Sequence, residues 1–410
     1  MPEIVQTVLP NGLTIVADPV PGASSLAMTL LTPAGLASQP ADQQGVAPLL
    51  AEMVCRGAGG RSAREHVDAL DTLGVQRSAD AQTRFFRIGA TMIGSKMKEA
   101  LPLLFDMART PTLAGEALGP SRDLALQAID SLADEPQRRA MLELRQRHYP
   151  DPIGRSPMGV REHLEAVSLD AVRNFWSDRF VPGGSILGFA GSFDFDELVA
   201  TVTDLLGDWT GSAAPAEAQG NGPGGVHHLA ADSTQVHIAL GYNAVAETDP
   251  NRILQQAATA VLSGGMSGRL FTEVREKRGL VYSVYASYAG QKDRGDVLAY
   301  AGTTVPRAQE TLDVLTAELR RLSEGINESE FQRAIVGMKS SLVMQGESTS
   351  ARAASIASDV YVFGQPRSLE EAAAEVDAVT LDRLNAYVAD HPPGEMTLVT
   401  LGPEALKMGA

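Results

Sequence analysis

A pattern that repeats at a fixed spacing constrains the fold of this chain more than any other feature of its sequence. Thr91 corresponds to Thr303 and Leu169 to Leu381, a separation of 212 residues in both cases. A helix-then-glycine pattern that begins at Gly45 recurs at a similar spacing. A constant separation across distant segments indicates an internal duplication. Because 410 residues are too many for one ordinary domain, we predict two homologous domains.

The boundary between the predicted domains lies in a segment rich in glycine, alanine and proline. Residues 211–225 read GSAAPAEAQGNGPGG and have no apolar periodicity, which is typical of a linker. We therefore predict an N-terminal domain over residues 1–210, a linker over residues 211–225 and a C-terminal domain over residues 226–410.

Each predicted domain mixes strands and helices. Phe86, Ile88 and Ala90 alternate with other residues at the period of a strand. Leu101 and Leu104 fall on one face of a following helical pattern. Because consecutive strand patterns lack crossover helices between them, we expect a mostly antiparallel β-sheet with helices packed on one face in each domain. This is an α+β fold.

The composition argues against several classes of protein. A net charge of −16 disfavours a nucleic-acid-binding protein, which normally has a basic face. The single cysteine, Cys55, allows neither an intramolecular disulfide nor a cysteine metal cluster, and we expect it to be a small core residue. No apolar run approaches the ~18 residues of a membrane span. The N-terminus has no signal-peptide pattern, which predicts a cytoplasmic protein, or a periplasmic one if a signal peptide was removed.

Several segments resemble the M16 (pitrilysin/insulinase-like) metallopeptidases, in particular the bacterial and mitochondrial-processing branch, M16B. They are LPNGLTIV, GVAPLLAEMVCRGAGGRS, YPDPIGRSPMGVREHLEAVSLDAVRNFWSDRFVPGGSILGFAG and GGMSGRLFTEVREKRGLVYSVY, in that order along nearly the whole chain. The resemblance agrees with the duplication. It implies a LuxS/MPP-like metallohydrolase fold.

The zinc motif of that family is absent here. M16 peptidases carry His-x-x-Glu-His on a helix, where the two histidines bind Zn²⁺, the glutamate deprotonates the bound water and a distal glutamate completes the site. The corresponding residues, which we call the four zinc-motif positions, are Pro48, Ala51, Glu52 and Ala128. The resemblance therefore implies no cofactor in this chain and zinc on a partner subunit. The adjacent His227 and His228 are predicted to lie at a strand edge on the surface.

The C-terminal half retains a second family pattern. M16 peptidases use an arginine and a tyrosine seven residues apart to hold the substrate, and this pattern falls on Arg275 and Tyr282. A guanidinium and a phenol can both donate hydrogen bonds to a peptide carbonyl or to the oxyanion formed from it. Arg278 and Tyr285 are neighbouring alternatives.

Two glycines precede this pair. Gly264 and Gly265 would let the backbone approach a substrate or a partner closely. A helix C-cap followed by a turn accounts for the same residues equally well.

The resemblance implies three hypotheses for function. The first is a non-zinc subunit of a heteromeric M16B-type peptidase, in which Arg275 and Tyr282 contact a peptide substrate at the metal site of a zinc-bearing partner chain. The second is a catalytically inert structural or assembly protein, since respiratory-chain core proteins also resemble this family. The third is a peptide-binding homodimer without cleavage. In the first hypothesis the substrate is an extended peptide added to a sheet edge.

Overall fold

The computed structural model describes residues 3–218 and 220–409. The strands are β1 Val5–Val8, β2 Thr14–Pro19, β3 Ser25–Thr32, β4 Gln76–Ala81, β5 Phe86–Ile93, β6 Ile186–Gly191, β7 Val226–Ala230, β8 Gln235–Ala244, β9 Val281–Gln291, β10 Arg294–Thr304 and β11 Thr397–Gly402. The helices are α1 Val46–Met53, α2 Ala63–Thr72, α3 Met97–Arg109, α4 Gly115–Asp130, α5 Pro136–His148, α6 Arg161–Ala166, α7 Leu169–Arg179, α8 Phe195–Leu206, α9 Arg252–Ser263, α10 Ala308–Arg321, α11 Glu328–Gly346, α12 Thr349–Phe363, α13 Leu369–Asp377 and α14 Leu381–Asp390. Among these residues, none of the helices has the length and apolarity that a membrane crossing requires.

The chain forms two compact units that interleave along the sequence. Unit 1 contains residues 3–131, 151–218 and 345–367, and unit 2 contains the remaining described residues. Each unit therefore takes one helix from the opposite half of the chain: α12 belongs to unit 1 and α5 to unit 2. The described part of segment 211–225 has no helix or strand, and Gln219 lies outside the described residues. The domain boundaries drawn from the sequence stay a prediction.

The two sheets have the same strand order, which supports the duplication. In unit 1 the order is β1-β2-β6-β3-β5-β4, and in unit 2 it is β7-β11-β8-β10-β9. The order from β2 to β4 matches the order from β7 to β9 strand for strand. The β2–β6 and β7–β11 pairs are parallel and the other pairs are antiparallel. The predicted α+β class with mostly antiparallel sheets is confirmed.

Both faces of the unit 1 sheet are covered. On β3, Leu26 and Leu30 point to the larger core that α1, α3 and α8 close, while Ala27 and Leu31 point to the opposite face, where α12 packs. This alternation follows from the two-residue period of a strand. The sequence predicted helices on one face only, and the exchanged helix α12 adds the second layer.

The exchanged helix is held by a close backbone approach and by an ion pair. A Cβ atom at Gly188 on β6 would lie 2.5 Å from the carbonyl oxygen of Ala353, so this contact requires glycine. The Arg352 guanidinium donates to Asp18 Oδ2 on β2 through Nε at 2.8 Å and Nη2 at 2.7 Å. The Arg352 side chain is buried, with 4% of its surface exposed, and the Asp18 side chain is largely buried, with 14% exposed.

Helix α5 occupies the equivalent place in unit 2. Its last residue, His148, contacts Thr397 Oγ1 through Nδ1 at 3.0 Å and Asp296 Oδ1 through Nε2 at 2.9 Å. A Cβ atom at Gly241 on β8 would lie 3.1 Å from the His148 ring. Helices α9, α10 and α14 contribute to the core on the other face of this sheet. The edge strand of this sheet, β9, carries Tyr282, and Arg275 lies in the helical segment that precedes the strand.

Candidate functional site

Three of the four zinc-motif positions lie on one face of α1, as the resemblance implied. Pro48, Ala51 and Glu52 are half-buried, whereas the other residues of the helix are buried in the unit 1 core. Pro48 fits because it lies in the first turn, where a backbone N–H has no intrahelical acceptor. Cys55 lies one turn beyond, partly buried against the core, and burial raises the pKa of its thiol.

The only carboxylate among these positions is already paired. Glu52 Oε1 accepts hydrogen bonds from Arg56 Nε at 3.1 Å and Nη2 at 2.7 Å. The Arg56 guanidinium therefore already neutralises the negative charge of Glu52, which a metal ion would otherwise neutralise. Sequence inspection missed Arg56, although its spacing of four residues from Glu52 on a helix is a recognisable ion-pair signal.

These residues do not fit a zinc ion. Proline and alanine side chains have no donor atom, and Ala128 is exposed on α4, the helix that packs against α1. Within residues 3–218 and 220–409, no group of three or more His, Cys, Asp or Glu side chains could hold a metal. His227 and His228, on strand β7, bond to Gly224 and Thr400 instead.

The glycine-bearing turn that follows α9 has two different glycines. Gly264 caps the helix by donating from its N–H to the Ala260 carbonyl at 2.6 Å, and a Cβ atom there would lie 2.5 Å from that oxygen. Gly265 has open space around it but a φ of +138°, which L-residues rarely adopt. Both glycines are exposed. The cap and the turn explain them locally, and a role in substrate binding stays a prediction.

A buried arginine, Arg269, anchors the helical segment that carries Arg275. Arg269 donates to Glu330 Oε1 through Nε at 2.6 Å and to the Gly325 carbonyl through Nη2 at 2.6 Å. The helix then widens into a π-helix over Phe271–Glu276. Such π-helical turns are rare and are frequent at functional sites. The sequence reasoning missed Arg269 because a charge beside a glycine turn gives no sign of burial.

Of the two candidate arginines, Arg278 is paired with a neighbouring carboxylate and Arg275 is not. Arg278 donates to the Glu273 carboxylate at 2.9 Å and to the Glu273 carbonyl at 2.6 Å. Lys277 also donates to Glu273, and these contacts lower the pKa of that carboxyl group. Arg275 is exposed, stacks over the Phe271 ring at 4.9 Å, and makes no ion pair within the described part of the chain.

Tyr282 lies in a β-bulge. Val281 pairs with Thr303 and Ser283 pairs with Gly302, so Tyr282 is the extra residue of the bulged strand. Its side chain is 70% exposed. Bulges at sheet edges commonly redirect a side chain next to a functional site.

The alternative tyrosine is engaged in packing. The Tyr285 ring lies 5.5 Å from the Tyr300 ring, and its hydroxyl accepts from Gln137 Nε2 at 3.4 Å. It is half-buried. Arg278 and Tyr285 therefore make polar contacts within unit 2, whereas Tyr282 is exposed and Arg275 makes no ion pair among the described residues.

Comparison with known families agrees with the resemblance seen in the sequence. Residues 14–159 match the family model described as "Insulinase (Peptidase family M16)", and residues 166–338 match "Peptidase M16 inactive domain". Similar curated proteins include an uncharacterized zinc protease of Streptomyces coelicolor, 27% identical over 97% of this chain and 89% of that protein. An uncharacterized zinc protease of Bacillus subtilis is 26% identical over 96% of this chain and 97% of that protein.

Solved structures support the same fold. A structure described as the peptidase M16 inactive domain from Pseudomonas fluorescens has a TM-score of 0.87 at 20% identity, over 99% of both chains. A protease from Helicobacter pylori has a TM-score of 0.86 at 18% identity, over 98% of this chain and 100% of that one. A chain of complex III from Candida albicans has a TM-score of 0.80 at 18% identity, over 98% and 96%. The chain therefore belongs to the M16 metallopeptidase family, as a homologue that lacks the zinc motif.

Proposed function

We propose that this protein is the non-zinc subunit of a heteromeric M16B-type peptidase and that it supplies Arg275 and Tyr282 to a metal site on a partner chain. One contrast carries the proposal. The four zinc-motif positions do not fit a metal, while Arg275 and Tyr282 are exposed and present polar groups to solvent. Residues that serve only packing would be expected to bond within the fold, as Arg278 and Tyr285 do.

The proposed role of the pair is to hold the substrate and to stabilise charge. An arginine guanidinium and a tyrosine hydroxyl can donate to the carbonyl of the scissile peptide bond, and their bonds strengthen as negative charge develops on that oxygen. Neither group generates a nucleophile, so this chain does not hydrolyse peptides by itself.

An extended peptide is the proposed substrate class. Strand β9, which carries Tyr282, lies at the edge of the unit 2 sheet and therefore presents unpaired backbone groups on one side. An extended peptide can pair with such an edge through its main chain. Backbone pairing would place peptide carbonyls beside the bulge without requiring a particular sequence.

The second candidate is an inert structural or assembly protein. The similarity of fold to a chain of complex III from Candida albicans favours it, as does the loss of the zinc motif. Under this hypothesis Arg275 and Tyr282 have no catalytic use. Peptide binding by a homodimer without cleavage is the third possibility.

The test is to isolate the protein from its native cells together with any bound chain. We expect a zinc-bearing M16 subunit to co-purify, the complex to cleave peptides, and a chelator to abolish cleavage. The chain purified alone should contain no stoichiometric zinc and show no peptidase activity. Peptidase activity of the isolated chain would contradict the proposal, and a stable complex without activity would favour the structural alternative.

A further inference from the structure

A groove in unit 2 contains a buried hydrogen-bonding group that has no partner among the described residues. It has a volume of about 580 Å³. The first turn of α5 and two strands of the sheet line it, and the residues that matter here are Glu135, Pro136, Arg138, Met141, His237 and Tyr285. Pro136, Met141 and the Tyr285 ring make much of this lining apolar.

His237, on strand β8, lines the groove with a ring that is only 4% exposed. Its Nδ1 atom lies 2.7 Å from the hydroxyl of Tyr300. Its Nε2 atom has no hydrogen-bond partner among the described residues. Buried polar atoms are normally paired, so an unpaired one next to a groove indicates a missing partner.

The partners of Tyr300 determine which nitrogen of His237 carries the proton. Tyr300 is 2% exposed, so its hydroxyl proton must be donated inside the protein. His237 Nδ1 is the acceptor within reach among the described residues. Since Nδ1 accepts, the neutral ring carries its proton on Nε2. Burial also lowers the pKa of His237, which keeps the ring uncharged.

The charges at the groove favour an uncharged hydrogen-bond acceptor for His237 Nε2–H. The carboxylate of Glu135 lies 3.3 Å from Arg138, so the positive charge of that arginine is already balanced. A carboxylate on the bound molecule would be repelled by Glu135. It would also lose its hydration beside an imidazole that carries no compensating charge. An uncharged carbonyl oxygen can accept from Nε2–H without burying a charge. Its neighbour should be apolar to match Met141 and Tyr285.

We propose that this groove binds a peptide segment, with His237 Nε2–H donating to a backbone carbonyl and an apolar side chain packed against Pro136, Met141 and Tyr285. The choice of a peptide as the occupant rests on the proposed function, and the site itself requires no partner subunit. The groove would give the protein a preference for peptides with an apolar residue. Pairing with the sheet edge alone gives no such preference, because it uses only the peptide main chain.

The test uses N-acetyl-L-phenylalanine amide as the probe and the intact chain labelled with ¹⁵N-histidine. We expect the His237 imidazole signal, assigned from a His237→Gln sample, to show a proton on Nε2 and to shift on titration. Met141→Lys should weaken binding by about tenfold or more, because it removes apolar contact and adds a charge. Met344→Lys is the matched control, since Met344 is exposed in unit 2 outside the groove, and it should bind the probe normally.

Three results would overturn the assignment: no shift of the His237 signal, equal weakening by Met344→Lys, or equal affinity for the anion N-acetyl-L-phenylalanine. If a zinc-bearing partner never yields activity but the probe still binds, the proposed function fails and the groove stands. If the complex is active but the probe does not bind, the groove assignment fails and the proposed function stands.

Discussion

Arg352→Met should destabilise unit 1, although residue 352 belongs to the C-terminal half of the chain. The substitution leaves Asp18, which is 14% exposed, without its guanidinium partner. Removal of one member of a buried ion pair costs about 3–5 kcal/mol, because the remaining charge stays buried. The docking of α12 against β2 would be weakened at the same time.

The two tryptophans, Trp176 and Trp209, make the measurement selective. Both belong to unit 1, so their fluorescence during urea unfolding reports on that unit. Arg64→Met in the same unit is the control. Arg64 and Asp68 form an ion pair with side chains 90% and 66% exposed, and such pairs contribute about 0–1 kcal/mol.

The expected result is a loss of about 3 kcal/mol or more for Arg352→Met and less than about 1 kcal/mol for Arg64→Met. Adding Asp18→Leu to Arg352→Met should recover much of the loss, since no charge then remains buried. If Arg352→Met shifts the tryptophan transition no more than Arg64→Met does, the assignment of α12 to unit 1 is wrong.

Three further predictions concern the zinc-motif positions, the buried His66 and the support of the Arg275 segment. Restoring His, Glu, His and Glu at the four zinc-motif positions should create a zinc site. Adding Arg56→Ala should increase the zinc affinity of that site about tenfold, because it removes a nearby cation. Equal zinc affinity with and without Arg56 would contradict this prediction. Burial lowers the pKa of His66 below its usual 6.5, so the free energy of unfolding should fall as the pH drops below about 6.5, by at most about 1.4 kcal/mol per pH unit. His66→Gln should remove that slope from the tryptophan signal. Arg269→Ala should destabilise unit 2 by about 3 kcal/mol, as measured by circular dichroism, because it removes the charged partner of Glu330 and leaves only the Asn327 N–H bonded to that carboxylate. A change under about 1 kcal/mol, the size expected of an exposed pair, would refute the anchoring role.

The sequence predicted the duplication and the α+β class because both depend on local patterns. Equivalent segments 212 residues apart produce equivalent strands, as in β5 and β10. The helical spacing of Pro48, Ala51 and Glu52 likewise placed them on one face of α1. Periodicity therefore predicts an element and its apolar face.

It does not predict which sheet that face will cover. The patterns of α5 and α12 are equally compatible with a place in their own half of the chain. The exchange depends on distant contacts, such as Arg352 with Asp18 and His148 with Asp296. A single sequence gives no signal for contacts at such separations.

The family pattern predicts candidate site residues but not the geometry around them. The family pattern gave Arg275 and Tyr282, with Arg278 and Tyr285 open as alternatives. The bulge that exposes Tyr282 depends on its register with β10, and the pairing of Arg278 depends on the π-helix that carries Glu273. Neither feature follows from periodicity, because both break the regular period.

The decisive measurement is the kcat of the proposed complex with a zinc-bearing M16 subunit, determined with wild-type and variant forms of this chain. Arg275→Ala with Tyr282→Phe should lower kcat by about 10²-fold or more, since each donor is proposed to stabilise charge formed during the reaction. Arg278→Ala, the matched control whose guanidinium is bound to Glu273, should retain near-normal kcat. Equal activity of the double variant and the wild type in an intact complex would contradict the claim that this chain contributes catalytic groups to its partner.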